Sequence, residues 1–443
     1  MGVFVKDAGV WKESGSGGLS VKDANAWKTV DSGFVKDANV WKQFYQNVVY
    51  LVSRTTSTDP DVDNISAFNG AISYTPSQDI YITSQDNQNI LLQKYNVNGS
   101  PQLARKFSNG SFDQYKGSIA DSSGNTYVFT GNGEIVKINS SGTQQWRFSY
   151  SFSFPGAIGF DNSGNLLACS FRIDKAMLIR VDPSNGSVLL ARTLSGFRTA
   201  TDIKADSSGN VYIVGADSGD RACVAKFNSS FAKIWAIRNN SSGVFSCLSL
   251  DSSGNIYIGG RVRPSSDYPA LYKYNNSGTF QWGRQINQAG GSGEAQSISI
   301  DASNNVYVTI DPGFIGYVFK FDSSGNVLWQ RSVDPANAAQ RWENGSKCLQ
   351  TEGSSTLYLY GHGVRLASPF TSLDTFTLKL PQDGSKTGTY NGVAWAASSI
   401  SVVSFTPSDA TLSESPGATG STPVNIGGST TAVTTSTTTV LIP

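Results

Sequence analysis

Side chains able to carry covalent or metal chemistry are scarce in this chain. A single histidine, His362, is present, so a metal site built on several histidines is excluded and a histidine-dependent triad has one place to form. The four cysteines are Cys169, Cys223, Cys247 and Cys348. They share no C-x-x-C spacing, and Cys223 and Cys247 lie in apolar runs that read as buried strands. Paired carboxylates such as Asp217 and Asp220 could work on a glycosidic bond, but no spacing sets that pair apart. G-x-S-x-G elbows, P-loops and Rossmann fingerprints are missing. The expectation is a chain with no catalytic residues, no metal and no cofactor.

Binding chemistry is better supplied. Arg172, Arg221, Arg261, Arg263 and Arg365 stand in loop-like stretches with Tyr268 and Phe314, and with Asp174, Asp217, Asp220 and Asp267. Guanidinium forks beside aromatic faces suit sugars or acidic polymers. An ordinary set of polar loops is the alternative, and the two differ in whether these residues share one rim.

The elements that would position them are repeats. An Asp-Ser-Gly-Asn turn followed by a short strand recurs as DSSGNTYV at 121, DNSGNLLA at 161, DSSGNVYI at 206, DSSGNIYI at 251 and DASNNVYV at 301. TPSQDIYI at 75 and TEGSSTLYL at 351 are weaker copies. A second phrase sets Lys94, Lys137, Arg180, Lys226, Lys273, Lys320 and Lys379 between apolar residues. Nine positions beyond four of them stand Trp146, Trp235, Trp282 and Trp329, with Leu103 and Leu189 in that place after Lys94 and Arg180.

Each copy alternates apolar and polar residues and then meets a Gly/Asn/Ser turn, the period-two pattern of short antiparallel strands. Four strands per copy and seven copies predict an all-β chain with a seven-bladed β-propeller over 47–398. Asp121, Asp161, Asp206, Asp251 and Asp301 are expected to close Asx-turns, with the following glycine taking positive φ. A calcium loop would need further carboxylates and a closing Glu, so these aspartates read as structural turns. The tryptophans are expected to pack blade against blade, and the Lys/Arg heads to reach acceptors at blade edges.

The units resemble the SBBP family of β-propeller repeats, marked by D-x-x-G-N-x-Y-[VI]-x-G, most closely in DSSGNVYIVG and DSSGNIYIGG. That resemblance implies fold and little about activity.

Copies also differ instructively. Asp121 to Lys137, Asp161 to Arg180, Asp206 to Lys226, Asp251 to Lys273 and Asp301 to Lys320 span 16, 19, 20, 22 and 19 residues. The loop between second and third strands is therefore elastic, as is the crossover to the next copy. In a propeller both emerge on one face, which is where specificity is expected.

The first 46 residues write V-K-D-A-x-x-W-K three times, with Trp11, Trp27 and Trp41 aligned. Each phrase folds on paper as strand, Asp-Ala-Gly/Asn turn and return strand. A lone hairpin is marginal in water, so these are expected to dock on each other or on a partner through their tryptophans. Tandem phrases of this kind resemble those at the ends of virion structural and tail proteins of tailed bacteriophages. The resemblance implies a particle component, oligomeric in the particle, that meets other virion proteins through 1–46 and through 399–443.

Residues 399–443 are Ser/Thr/Gly/Pro-rich and read as an extended arm: a flexible stalk, or a segment that adds strands to a neighbour. For ring closure, NVVYLVS at 47–53 is favoured over SISVVSF at 399–405, although YNGVAWA offers the last copy an outer strand of its own. A net charge of +1 gives no field for nucleic acid, and neither a secretory signal nor a transmembrane run is read.

The resulting expectation is a tail- or baseplate-associated virion protein, located at the particle surface, whose propeller binds a host-surface glycan or protein. A capsid decoration protein and a cellular carbohydrate- or protein-binding propeller are the alternatives, with a polysaccharide-degrading enzyme third.

Overall fold

The computed structural model describes strands and turns between residues 4 and 441, with side chains described between 73 and 407, each with gaps. Two compact units emerge: Met1–Tyr50 with Leu441–Pro443, and Leu51–Val440.

In the first unit each repeated phrase is a two-stranded antiparallel hairpin. Phe4–Asp7 pairs with Val10–Glu13, Ser20–Asp23 with Ala26–Thr29, and Ser32–Asp37 with Val40–Gln46. The register repeats as well, since Lys6, Lys22 and Lys36 face Trp11, Trp27 and Trp41. The side chains of those tryptophans lie outside the described residues.

The second unit is an all-β propeller. Its strands form six hydrogen-bonded sheets, where seven blades were expected from the repeats. The difference has a local cause. Lys233–Leu250 runs for 18 residues and pairs with Arg221–Phe227 through its first half and with Ile256–Val262 through its second. Two copies of the repeat are thereby joined in one nine-stranded sheet.

Ring closure uses the chain's early segment: Leu51–Thr56 pairs with Leu373–Pro381 as the outer strand of the last sheet. Ile80, Ile82 and Tyr95 of the first sheet pack with Tyr358 of the last, so the two ends of the array meet. YNGVAWA does not serve the last sheet. Its Val393–Ala397 pairs instead with Val327–Pro335, one sheet earlier.

From there the C-terminal arm runs backwards around the ring. Ser401–Phe405 pairs with Phe280–Asn287, and Asp409–Thr411 with Lys233–Leu250. Val424–Asn425 then pairs with Gln144–Ser149, Thr430–Ala432 with Pro101–Ser108, and Ser436–Leu441 lies beside Leu51–Thr56. The arm adds strands to its own propeller in reverse order, where a flexible stalk or pairing with a neighbour was expected. The physical reason is edge chemistry: each outer strand presents unpaired N–H and C=O groups, and a covering strand satisfies them. The start of this belt is anchored by side chains. Trp395 is wholly buried against Trp329 (6.2 Å between ring centroids), and Phe405 meets Tyr272 edge-on at 5.0 Å.

The repeated residues stitch neighbouring units together. Asp206 Oδ1 accepts the N–H groups of Ser208 and Asn210, both at 2.9 Å, while its Oδ2 accepts the Tyr212 hydroxyl at 2.9 Å. Asp121, Asp251 and Asp301 repeat this arrangement with Tyr127, Tyr257 and Tyr307. Above each tyrosine ring stands the repeat's lysine, as Lys273 does 4.8 Å from the Tyr257 centroid. Lys273 Nζ and Trp282 Nε1 then donate to one carbonyl of the next unit, Ser323 O, at 2.9 and 3.1 Å. Lys137 with Trp146 share Pro183 O, and Lys320 with Trp329 share Gln382 O.

One register differs from the expected one. Leu190, rather than Leu189, faces Arg180, because the 182–187 turn closes Asp182 N to Ser187 O and holds one residue more than the 139–143 turn. Leu189 is consequently exposed.

Candidate functional site: a guanidinium-lined pocket on the variable-loop face

The elastic turn of residues 217–220 copies the Asx logic of the constant turns. Asp217 Oδ1 accepts the N–H groups of Gly219 and Arg221, at 2.9 and 3.0 Å, and Oδ2 accepts Arg221 Nε at 2.9 Å. Arg238 adds a second guanidinium 3.9 Å from Oδ2. Burial alone would raise the Asp217 carboxyl, but the Arg221 hydrogen bonds, the Gly219 N–H and the Arg221 charge hold it below the usual carboxylate range. Asp217 and Arg221 are therefore committed to shaping the turn.

That turn carries Asp220 at φ 56°, a conformation that costs a non-glycine residue about 1–2 kcal/mol. Two bonds hold it there: Asp220 N–H donates to Asp217 O at 3.2 Å, and Asp220 O accepts the Gly243 N–H at 3.1 Å. Strain of this kind, kept at a surface turn, accompanies sites that need a group aimed in one direction.

Beside Asp220 opens a pocket of about 260 Å³ walled by Arg198, Thr199, Thr201, Ala216, Gly243, Val244 and Arg261. Arg198 pairs with Asp220 and Arg261 stands 4.0 Å from Glu294, which in turn accepts the Ser246 hydroxyl. The threonine hydroxyls brace the walls. Thr201 Oγ1 donates to Phe245 O at 2.5 Å, and Thr199 Oγ1 accepts the Ala216 N–H at 3.0 Å. The Arg198–Asp220 pair is open to water, with 70% of the Asp220 side chain exposed, and such pairs contribute roughly 0–1 kcal/mol. An anion entering the pocket can thus take Arg198 from Asp220 at little cost, and the guanidinium fork suits a planar carboxylate.

Of the residues expected at this rim, the structure brings Arg261 to the pocket wall and places Arg221 behind it, tied to Asp217. Tyr268 is half-buried, packed against the apolar cluster that includes Phe245, Leu248 and Tyr272. Arg263 and Phe314, and the side chains of Arg172 and Arg365, lie outside the described residues. Arg198, Thr199 and Thr201 were not singled out by the sequence. Their one signal was position, just after a crossover that varies between copies.

Three solved structures similar to this chain are all of low identity. The propeller of Dos1 is 13% identical, with a TM-score of 0.46 over 69% of this chain and 91% of that one. Sqt1 of Saccharomyces cerevisiae is 11% identical, with a TM-score of 0.48 over 71% of this chain and 96% of that one. A protein of unknown function from Bacteroides caccae is 14% identical, with a TM-score of 0.39 over 55% and 96%. No family model matches the sequence, and no curated protein matches it.

Among the described residues no group of three His, Cys, Asp or Glu side chains is arranged to hold a metal ion. Both oxygens of each repeat aspartate already accept hydrogen bonds or an ion pair within their own turns and strands. Also among the described residues, no helix is long and apolar enough to cross a membrane.

Proposed function

We propose that this chain is a non-enzymatic structural protein of a tailed-bacteriophage particle, associated with tail or baseplate, whose propeller binds an acidic host-surface glycan. The observation that carries the docking half is the set of three two-stranded hairpins in one register. A two-stranded hairpin has no second layer on which to bury an aromatic, so three of them in tandem call for a partner surface. The Arg198–Arg261 pocket supports the binding half, through guanidinium groups on the face where the repeats vary. Aligning the constant turns across the joined sheet supports a seven-bladed ring, in which Lys233–Leu250 serves as the outer strand of one blade and the inner strand of the next. Projections down the ring axis with six lobes would remove that count.

Immunogold electron microscopy of particles, with antibody to residues 51–398, tests the assignment. Label on tail or baseplate is the expected result. Label on the capsid would recast the propeller as decoration, and no label on any particle would overturn the virion reading. Particles assembled with a variant lacking residues 1–46 should lose the protein, and its normal incorporation would remove the docking role.

A further inference from the structure

The arm that girdles the propeller pairs with the outer strand of every sheet except the one ending in Val188–Leu194, beside which no arm strand is described, and its grip is uneven. Its first rungs are held by side chains: Trp395 is wholly buried, and Phe405 lies against Gly283, where a Cβ would come within 2.8 Å of the Phe405 carbonyl. The next three rungs are short, and only the last, Ser436–Leu441, runs for six residues. Asp409–Thr411 and Thr430–Ala432 are three residues each, and Val424–Asn425 is two. A proline, Pro407, stands between the anchored rungs and the first short one, where it lacks an N–H and cannot extend the ladder.

From this asymmetry we infer that the propeller edges are strand-acceptor sites, and that the arm beyond Pro407 can leave its own ring and pair with the same edges of a second copy. The partner follows from the pairing itself. Any second copy carries the identical acceptor edges and the identical donor arm, so every hydrogen bond made within one chain can be remade between two. That equivalence is what makes exchange of a terminal element a low-cost route to association. A hinge next to a firm anchor, followed by short pairings, is where exchange begins, because each short rung gives up only a few backbone hydrogen bonds on release. The inference rests on the pairing alone and stands or falls independently of the particle reading.

A crosslinking experiment on the full chain separates the two arrangements. Arg105 and Ala432 are register partners on a distal rung, and Arg284 and Ser404 on an anchored one. The native Cys169, Cys223 and Cys247 are buried, with burial pushing the first two thiols up to about 12, so they will not compete in mild oxidation, and every variant carries Cys348→Ser to remove the fourth thiol. The Arg105→Cys, Ala432→Cys double variant is expected to close within one chain when dilute. Equal amounts of the Arg105→Cys and Ala432→Cys single variants, mixed, concentrated and oxidised, are expected to give covalent dimer above the level of either variant alone. The corresponding Arg284→Cys and Ser404→Cys mixture is expected to give none, because that rung lies before the hinge. No dimer from the distal mixture, with intrachain closure intact, would overturn the exchange. So would dimer from both mixtures, since the hinge would then not lie at Pro407. Failure of the distal double variant to close at all would remove the acceptor edge itself.

Discussion

Arg180 Nε lies 2.8 Å from Asp161 Oδ2, in the place where the other complete repeats bring a tyrosine hydroxyl to the turn aspartate. Leu167 occupies that tyrosine's position, so the longer guanidinium reaches back to close the turn in its stead. Arg180 also donates to Ser229 O of the next unit at 2.7 Å, the bond that lysine makes elsewhere. The junction is inverted throughout. Leu190 replaces the tryptophan, and Phe231 enters from the next unit at φ 59° where the other turns have glycine, 4.9 Å from the Arg180 guanidinium. Arg180→Lys is expected to destabilise by roughly 1–3 kcal/mol, the scale of a charged partner lost from a buried carboxylate. Phe231→Gly should also destabilise alone. Combining Leu167→Tyr, Arg180→Lys, Leu190→Trp and Phe231→Gly should recover stability, read as non-additive denaturation midpoints. Additive losses would show that the four positions are not one unit.

Gly278 is the seat of Trp235. Its φ is 81°, and a Cβ there would come within 3.1 Å of the indole. Gly278→Ala meets both a backbone penalty and a displaced ring, so a loss of roughly 2–3 kcal/mol is expected. Trp235→Leu combined with Gly278→Ala should cost less than the sum of the two. Urea unfolding of the three variants decides it.

Stability should fall in alkali. Tyr127, Tyr212, Tyr257 and Tyr307 all have their hydroxyls raised well above the ordinary value, first by burial and then by the neighbouring turn aspartate. A phenol raised in the folded state stabilises fully below the unfolded value near pH 10. That contribution is lost as pH climbs from there toward the folded value, because the unfolded chain releases its protons first. Lys226 and Lys273, lowered by burial, act in the opposite sense below about pH 10. The buried thiols of Cys169, Cys223 and Cys247, raised by burial, begin the loss above about pH 8.5, and the tyrosines steepen it above about pH 10. Melting temperatures from pH 8 to 12 should drop more steeply past about pH 10, and less so in Tyr212→Phe. A flat profile would contradict the hydroxyl–aspartate bonds.

Phe405 tests the belt's anchor. It packs edge-on against Tyr272 in the core of the joined sheet, and Phe405→Ala is expected to cost roughly 2–4 kcal/mol, somewhat below a fully buried phenylalanine. Hydrogen exchange should then rise along Phe280–Asn287, the strand it covers. Unchanged protection would mean that backbone pairing alone holds the rung.

What could be read from the sequence was whatever repeats through side chains. Asp206 with Tyr212, and Lys226 with Trp235, recur as pairs at fixed offsets because each must meet a fixed partner, one in its own turn and another in the next unit. Leu190 escaped because one extra residue in the 182–187 turn shifts the register without altering composition. The arm's destination escaped for a different reason: backbone pairing leaves no side-chain pattern, and Thr430–Ala432 would suit almost any exposed edge. Joining two copies through Lys233–Leu250 is likewise a property of one short crossover, invisible to a pattern that marks turns. At the pocket, Arg261 was legible from its elastic loop, whereas Arg198 follows a crossover whose length and residues vary between copies, so no repeated residue marks it.

The pocket makes a prediction with two opposed signs. Arg198 is engaged by Asp220, and Asp220 is largely exposed, so the pair holds the guanidinium in place without securing it. If an acidic sugar takes Arg198, removing the resident carboxylate removes its competitor. Asp220→Asn is therefore expected to strengthen binding of polygalacturonate, roughly threefold to tenfold at low salt. Arg261→Gln should weaken it by a similar factor, while neutral dextran should bind neither variant nor the parent. Asp220→Gly separates charge from backbone, since it also relieves the φ of 56° and should stabilise the turn by about 1 kcal/mol. Isothermal titration with the three variants reads all of these effects. Weaker binding in both Asp220 variants would mean that Asp220 itself contacts the sugar, and the same affinity in all of them would move the binding site away from this pocket.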